Sequence, residues 1–365
     1  MSLDLHVDGD RWRAHLRRVA GARPGLVPVA KGNGYGFGNG RLARKAQWLE
    51  DHGLGVDTLA VGTYAELGDV ATRFRGDLLV LSPWRPWEAD GTTDEQRVVH
   101  TVGRLSDLSA LVEAPGRPRI VLERLTSMKR HGFTARGLRE AMALATGHPG
   151  GVRIEGVSLH LPLDTGDNLA EARELMTDVV AAGLGKLDDQ GALTHHAATV
   201  WVSHLGSREL ADLAAQYPDF TFRPRLGTDL WLGDRGALRV TARVLDSHPV
   251  ERGEQFGYRG RTVPRTGTLL VVSGGTAHGI GLEAPTGEGS VRARAATLAR
   301  GGLDALGLAR SPYTVAGKGR YFAEPPHMQS SMLFLPSGVD VPATGEEVDV
   351  RVRFTATTFD RVEIS

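Results

Sequence analysis

The chain has 365 residues, 41% of them hydrophobic and 24% charged. That is an ordinary soluble globular balance, with length enough for one large domain and a smaller one. Lys+Arg and Asp+Glu both number 43, and a net charge of zero removes any electrostatic reason to expect nucleic acid or an anionic membrane as partner.

There is no cysteine, which excludes disulfides, thiolate metal sites and a cysteine nucleophile and fits a reducing compartment. The first twelve residues are charged early and carry no apolar run of the signal-peptide type. No stretch approaches the uncharged length of a membrane span, so the expectation is a cytoplasmic protein.

Residues 26–30, Leu-Val-Pro-Val-Ala, read as a buried strand, and residues 41–52 follow with helical spacing through Leu42, Ala46 and Leu49. A second strand is expected at 58–61, a helix at 65–73 and a third strand at 78–81. Later strands are expected at 119–122, 156–160, 199–203 and 221–225, with helices at 169–182 and 208–216 between them. Repeated strand–helix units imply parallel strands joined by crossovers. About eight of them close a (β/α)8 barrel, typically in roughly 250 residues, and an open doubly wound sheet is the competing arrangement. Past residue 240 the texture changes to strands separated by Gly, Pro and Asp turns: 240–245, 268–273, 332–336 and 347–355, the last with period-two alternation. The fold class is therefore α/β. A (β/α)8 TIM-type barrel over residues 1–240 is followed by a mainly β domain over 241–365.

The most informative segment is Val27-Pro28-Val29-Ala30-Lys31-Gly32-Asn33-Gly34-Tyr35-Gly36-Phe37-Gly38. A lysine stands at the carboxyl end of a buried strand, before a glycine-rich turn, which is where barrels and open α/β sheets bind ligands. Desolvation there lowers an amine's pKa, and a neutral amine forms a Schiff base with an aldehyde. By itself such a loop also describes a snorkelling strand-end lysine beside an ordinary turn.

The full string resembles the alanine-racemase pattern V-x-K-A-N-A-Y-G-H-G, with Phe37 in place of the family histidine. The resemblance implies that Lys31 carries pyridoxal 5'-phosphate and that Tyr35 contacts its phosphate. Further matches follow in the family order. Met128-Lys129-Arg130-His131-Gly132-Phe133 is similar to the stretch whose arginine lies beside the cofactor's phenolic oxygen and the substrate carboxylate, which nominates Arg130. A fixed, permanently charged fork suits that place. Glu123 stands where the family often has a carbamylated lysine, and is expected to orient Arg130. Gly156-Val157-Ser158-Leu159-His160 resembles the strand whose histidine stacks on the pyridine ring, nominating His160. Ser203-His204-Leu205-Gly206-Ser207 resembles the phosphate-binding turn before a helix, nominating Ser207. Arg225-Leu226-Gly227-Thr228 resembles R-P-G-I. It nominates Arg225 for the pyridine nitrogen, with Arg223 as the alternative register, and the backbone of Gly227 and Thr228 for the phosphate.

In the second domain, Gly253-Glu254-Gln255-Phe256-Gly257-Tyr258-Arg259-Gly260 resembles G-E-x-V-G-Y-G, whose tyrosine is the second acid/base, delivered from the partner subunit. That nominates Tyr258 and implies a homodimer. Pro326-His327-Met328-Gln329 sits where the family has C-M-D-Q, nominating the Met328 backbone for the substrate carboxylate.

The chain departs from the pattern where the family narrows its pocket. The G-Y-x-D-G stretch is Ser273-Gly274-Gly275-Thr276-Ala277-His278-Gly279, the C-terminal family tyrosine falls near Thr357, and the aspartate after Met is Gln329. The resemblance thus implies a two-base amino-acid racemase whose substrate need not be alanine. The alternatives are a D-amino-acid lyase of the same fold, an aldolase or dehydratase, and a non-catalytic carrier of the cofactor.

Overall fold

The computed structural model describes residues 2–87, 96–163, 166–185, 198–282 and 309–365. Strand β1 (Leu3–Val7) leads into helix α1 (Gly9–Gly21), which buries Leu16, Val19 and Ala20 at helical spacing. Then come β2 (Val27–Ala30), α2 (Asn39–Asp51), β3 (Thr58–Val61), the short α3 (Leu67–Val70), β4 (Asp77–Pro83), β5 (Val98–Val102), α4 (Leu105–Val112), β6 (Arg119–Arg124), α5 (Ala135–Gly147), β7 (Arg153–His160), α6 (Asn168–Ala181), β8 (Thr199–Ser203), α7 (Ser207–Gln216), β9 (Thr221–Leu226) and α8 (Thr228–Leu232). Strands β2 to β9 pair in sequence order, all parallel, and β9 pairs back onto β2 to close an eight-stranded barrel. This settles the barrel over the open sheet. The helix expected at 65–73 is only one turn long, after a single 3-10 turn at Tyr64–Glu66. β5, which the sequence reading passes over, supplies the eighth strand.

Alternation along the strands fills the barrel from inside with Val27, Val29, Ala60, Leu79, Val99, Val121 and Trp201. A second cluster fills the space between strands and helices, for example Leu122, Leu138, Val157, Leu175 and Val202. Side chains cap the starts of α1, α5 and α6: Asp8 accepts from the Arg11 N–H at 3.0 Å, Thr134 from the Gly137 N–H at 3.1 Å and Asp167 from the Ala170 N–H at 2.9 Å. After β9, Trp231 is fully buried and donates from Nε1 to the Val29 carbonyl at 2.8 Å, tying α8 to β2.

The remaining strands are β10 (Leu238–Val250), β11 (Gln255–Phe256), β12 (Arg261–Thr262), β13 (Gly267–Ser273), β14 (Arg310–Val315), β15 (Lys318–Phe322), β16 (Ser330–Pro336), β17 (Glu347–Val350) and β18 (Arg361–Ile364). They form an eight-stranded sheet ordered β13-β16-β15-β14-β17-β10-β1-β18, with β10 also paired to β13, and a separate β11–β12 hairpin. The strand expected at 347–355 ends at Val350. Beyond it the Arg351 N–H turns to the Pro312 carbonyl and the Ala356 N–H to the Arg353 carbonyl.

By contacts the chain divides into one unit of Arg13–Gly34 and Gly38–Gly233, which holds the barrel, and one of Met1–Trp12, Tyr35–Phe37 and Asp234–Ser365. Residues Met1–Trp12 group with the β unit because β1 hydrogen-bonds to β10 and β18. Among the described residues no helix is long and apolar enough to cross a membrane.

Replacing Trp231 by Ala removes a fully buried indole and its hydrogen bond. The expected loss is about 3–5 kcal/mol, read as a lowered midpoint in equilibrium urea unfolding. A loss below about 1 kcal/mol would mean that the indole does not tie α8 to the barrel.

Candidate active site

Lys31 follows the wholly buried β2, at the carboxyl end of the barrel strands. The turn after it closes with the Gly34 N–H on the Lys31 carbonyl at 3.0 Å. Gly34 has φ +60, and a Cβ there would lie 2.5 Å from the Asn39 nitrogen, so only glycine fits the turn. Glu66 clamps this loop to its neighbour by accepting from the N–H groups of Gly32 (2.7 Å), Gly62 (2.6 Å) and Thr63 (3.2 Å). Sequence reasoning passed over Glu66, although Thr63-Tyr64-Ala65-Glu66 carries the T-x-x-E capping signature.

Around Lys31 the charges are mostly positive. Desolvation lowers its pKa, and the nearby guanidiniums of Arg130 and Arg225 lower it further, against an opposing pull from Glu66. Among the described residues neither Lys31 nor Arg130 makes a side-chain hydrogen bond or ion pair. Arg225 is buried inside the barrel and donates to Ser158 Oγ at 2.9 Å and to the Leu159 carbonyl at 3.3 Å. Burial brings its pKa down to about 10, opposed by Glu123. Glu123 is buried two residues beyond Val121 on β6. Burial raises its pKa, while Arg225 first, then Arg130 and Arg85, lower it. Its Oε2 is buried with no hydrogen-bond partner. Glu123 therefore compensates charge through space, chiefly that of Arg225, and makes no hydrogen bond to Arg130 among the described residues.

His160 ends β7 at the same mouth. Its Nδ1 is 2.8 Å from Ser203 Oγ, and its ring centroid is 5.6 Å from that of His204. Desolvation, with the charges of Arg225 and Arg130, brings its pKa down to about 3, so the ring is neutral across the physiological range. Ser158 and Ser203, the two hydroxyls that touch the nominated side chains, went unremarked in the sequence. Ser203 stands at the end of β8, the position from which strand residues reach a barrel mouth.

The two candidate arginines of β9 separate cleanly. Arg223 reaches the opposite end of the barrel, where it pairs with Asp57 and Thr58 at the start of β3 and stacks over Trp201 with its guanidinium carbon 4.8 Å from the ring centroid. Only Arg225 lies with Lys31, Arg130 and His160. Gly227 and Thr228 form the turn from β9 into α8. Ser207 is exposed as the first residue of α7, and the preceding Gly206 N–H is taken by Glu209 Oε2 at 2.6 Å.

The other nominated residues belong to the β unit. Tyr35 is buried with φ 54, and Phe37 stacks on Trp12 with centroids 4.7 Å apart. Tyr258 is 89% exposed and Met328 73% exposed.

A family model described as the alanine racemase N-terminal domain matches residues 7–203, more than half the sequence. The chain belongs to the alanine racemase family. No curated protein sequence matches it. Among solved structures, an alanine racemase from Bartonella henselae with covalently bound pyridoxal phosphate superposes with a TM-score of 0.70 at 16% identity, covering 100% of both chains. An alanine racemase from E. faecalis gives 0.67 at 18%, covering 100% of this chain and 98% of that one. A histidine racemase from Leuconostoc mesenteroides subsp. sake gives 0.65 at 15%, with 100% and 98% covered. At such identities the likeness is one of fold.

In this alanine racemase family member, the segments that the sequence reading singled out in the β unit lie together. The tyrosine-free segment Gly274–Gly279 lies on the chain around Met328, with the Thr276 N–H on the His327 carbonyl at 2.8 Å and the Ala277 N–H on the Met328 carbonyl at 2.9 Å. Gly279 packs against the backbone of Ala356 and Thr357.

Because Arg130 is one of the cations that depress Lys31, Arg130→Gln raises the lysine's pKa and shrinks its neutral fraction. Acylation of Lys31 at a fixed, mildly alkaline pH, followed by peptide mass spectrometry, is expected to be slower in Arg130→Gln than in the parent protein. An equal or faster rate would remove Arg130 from the electrostatics of Lys31.

Proposed function

We propose that this chain is a pyridoxal-phosphate-dependent amino-acid racemase that moves the Cα proton between two groups, Lys31 and Tyr258. The observation that carries the reading is the set of cations at one barrel mouth, Lys31, Arg130 and Arg225, around a neutral His160 and with Glu123 as the buried counter-charge. An excess of positive charge, with two cationic side chains that make no ion pair among the described residues, fits a doubly charged phosphate ester and a substrate carboxylate.

In this reading Lys31 would carry the cofactor aldehyde, and His160 and Arg225 would hold its ring. Tyr35, Ser207 and the backbone of Gly227 and Thr228 hold the phosphate. Arg130 and the Met328 backbone hold the substrate carboxylate. The chemistry the bound cofactor supplies is stabilisation of negative charge at Cα. Lys31, with its lowered pKa, has a neutral Nζ more available than an ordinary lysine's to take a proton from Cα on one face and return it. Arg225, charged below about pH 10, donates hydrogen bonds but gives up no proton at neutral pH. A charged Arg225 would not hand a proton to a ring nitrogen that it held, so the cofactor would be the weaker electron sink that suits proton return to Cα. Tyr258 of the partner subunit serves the opposite face through Oη. Its exposure, and that of Met328, support a homodimer in which these residues are covered by a second copy.

The tyrosine-free patch around Gly274–Gly279 and Thr357 supports a substrate side chain larger than methyl. A chain without cysteine suits the cytoplasm.

The test is proton NMR in deuterated water of the protein with pyridoxal phosphate and a panel of L- and D-amino acids. The expected outcome is loss of the Cα signal and appearance of both enantiomers for at least one amino acid other than alanine. Lys31→Ala is expected to abolish it. Exchange with no amino acid would refute the racemase reading, and product formation with cleavage of a side chain would make the protein a lyase. Tyr258→Phe is expected to slow exchange from one enantiomer by a factor on the order of a hundred or more and to leave the other much less affected. Unchanged exchange from both would refute the two-group mechanism.

A further inference from the structure

Tyr258 sits in a problematic place for an acid/base group. It is 89% exposed on a turn between β11 and β12, two strands of only two residues each, and a hairpin that short has little stability of its own. Proton transfer needs the reacting atoms held to within a fraction of an ångström. Something other than the hairpin must supply the order.

A buried carboxylate beneath the turn does so. Glu324 is 4% exposed. Its Oε2 accepts from the Tyr258 backbone N–H at 3.1 Å, and its Oε1 lies 2.8 Å from His327 Nε2. A Cβ on Gly257, at φ +71, would come 2.2 Å from Glu324 Oε2, so the glycine is what lets the carboxylate approach the turn. The imidazole held by the other oxygen stands edge-on to the phenol, with ring centroids 5.0 Å apart and planes at 64°. The His327 backbone is fixed on both sides, its N–H on the Ser330 carbonyl at 2.9 Å and its carbonyl receiving the Thr276 N–H at 2.8 Å. One carboxylate thus ties together the backbone of Tyr258 and the ring that packs against its side chain. Tyr258 Oη itself has no hydrogen-bond partner among the described residues and remains available for a proton.

We propose that Glu324 and His327 are positioning residues for the phenol of Tyr258, an inference that rests on the acid/base reading of Tyr258 given above. Neither touches the reacting atoms. They fix the ring that does, and Met328, next in the chain to His327, is fixed by the same turn.

Two measurements test this. The first uses the full chain without cofactor, labelled with fluorotyrosine. The sequence has 6 tyrosines, and the fluorine resonance lost in Tyr258→Phe belongs to Tyr258. That resonance is expected to move toward the free amino-acid value in His327→Ala and in Glu324→Ala while the others stay, which also reports that the variants are folded. The second measures Cα deuterium exchange from each enantiomer with the cofactor-loaded protein. His327→Ala is expected to slow exchange on the Tyr258-dependent face by about tenfold, in kcat rather than KM, and to leave the other face nearly unchanged. A Tyr258 resonance that does not move overturns the proposal, as does an equal slowing of both faces, which is what a merely structural role produces. If the parent protein exchanges no amino acid, the racemase reading fails, and the fluorine experiment alone still decides whether the pair holds the phenol.

Discussion

The constraint on which the site depends is an excess of positive charge in a place that cannot solvate it well. Arg225 is buried inside the barrel, Arg130 and Lys31 stand at its mouth, and the counter-charge set among them is Glu123, itself buried and raised in pKa. Each charge makes its neighbour's state more costly or more tolerable. Glu123 opposes the loss of charge on Arg225, while desolvation first and the two arginines second lower the pKa of Lys31 and of His160. An arrangement of this kind is poorly satisfied alone and well satisfied by an anion. The lowered pKa of the lysine and the neutral imidazole both come from that shortage of solvation and counter-charge.

The barrel maintains this imbalance by keeping its two ends chemically distinct. Arg223 and Arg225 lie two residues apart on β9 and point to the same interior, yet one meets Asp57 and Trp201 at the far end and the other meets Ser158 and the Leu159 carbonyl at the mouth. The Val, Leu and Ala layer between them is low in dielectric and carries no counter-charge. Asp57 therefore neutralises Arg223 without relieving the site.

Much of this was legible in the sequence where a role needs a particular side chain at the end of a particular strand. Lys31, His160 and Arg225 could be placed because short buried runs precede them. The family string around Lys31 supplied the cofactor, which periodicity could not. What stayed hidden falls into two kinds. Some contacts depend on strand register: Ser203 meets His160 and Ser158 meets Arg225 only because β7, β8 and β9 are neighbours in the closed barrel. Others depend on pairing between distant segments. Nothing local in residues 3–7 says that β1 belongs with β10 and β18. The runs that form β14 and β15 are ordinary in composition and become strands by filling a gap in a sheet. The opposite error occurred at 347–355, where clean alternation runs past Val350 but the backbone turns away to the Pro312 carbonyl.

The two kinds of hidden feature carry different consequences for specificity. A group that works through its side chain, such as Lys31 or Arg225, can be replaced by few others, so the charge cluster leaves a readable trace. A group that works through its backbone is indifferent to its side chain. The segment Gly274–Gly279 holds the Met328 turn by main-chain hydrogen bonds, and those bonds are the same whether the segment carries tyrosine or, as here, glycine, threonine, alanine and histidine. The turn at Met328 is thus held by the backbone of a segment that contains no tyrosine. The electrostatics at Lys31 are built in the barrel from other residues, Arg130, Arg225 and Glu66.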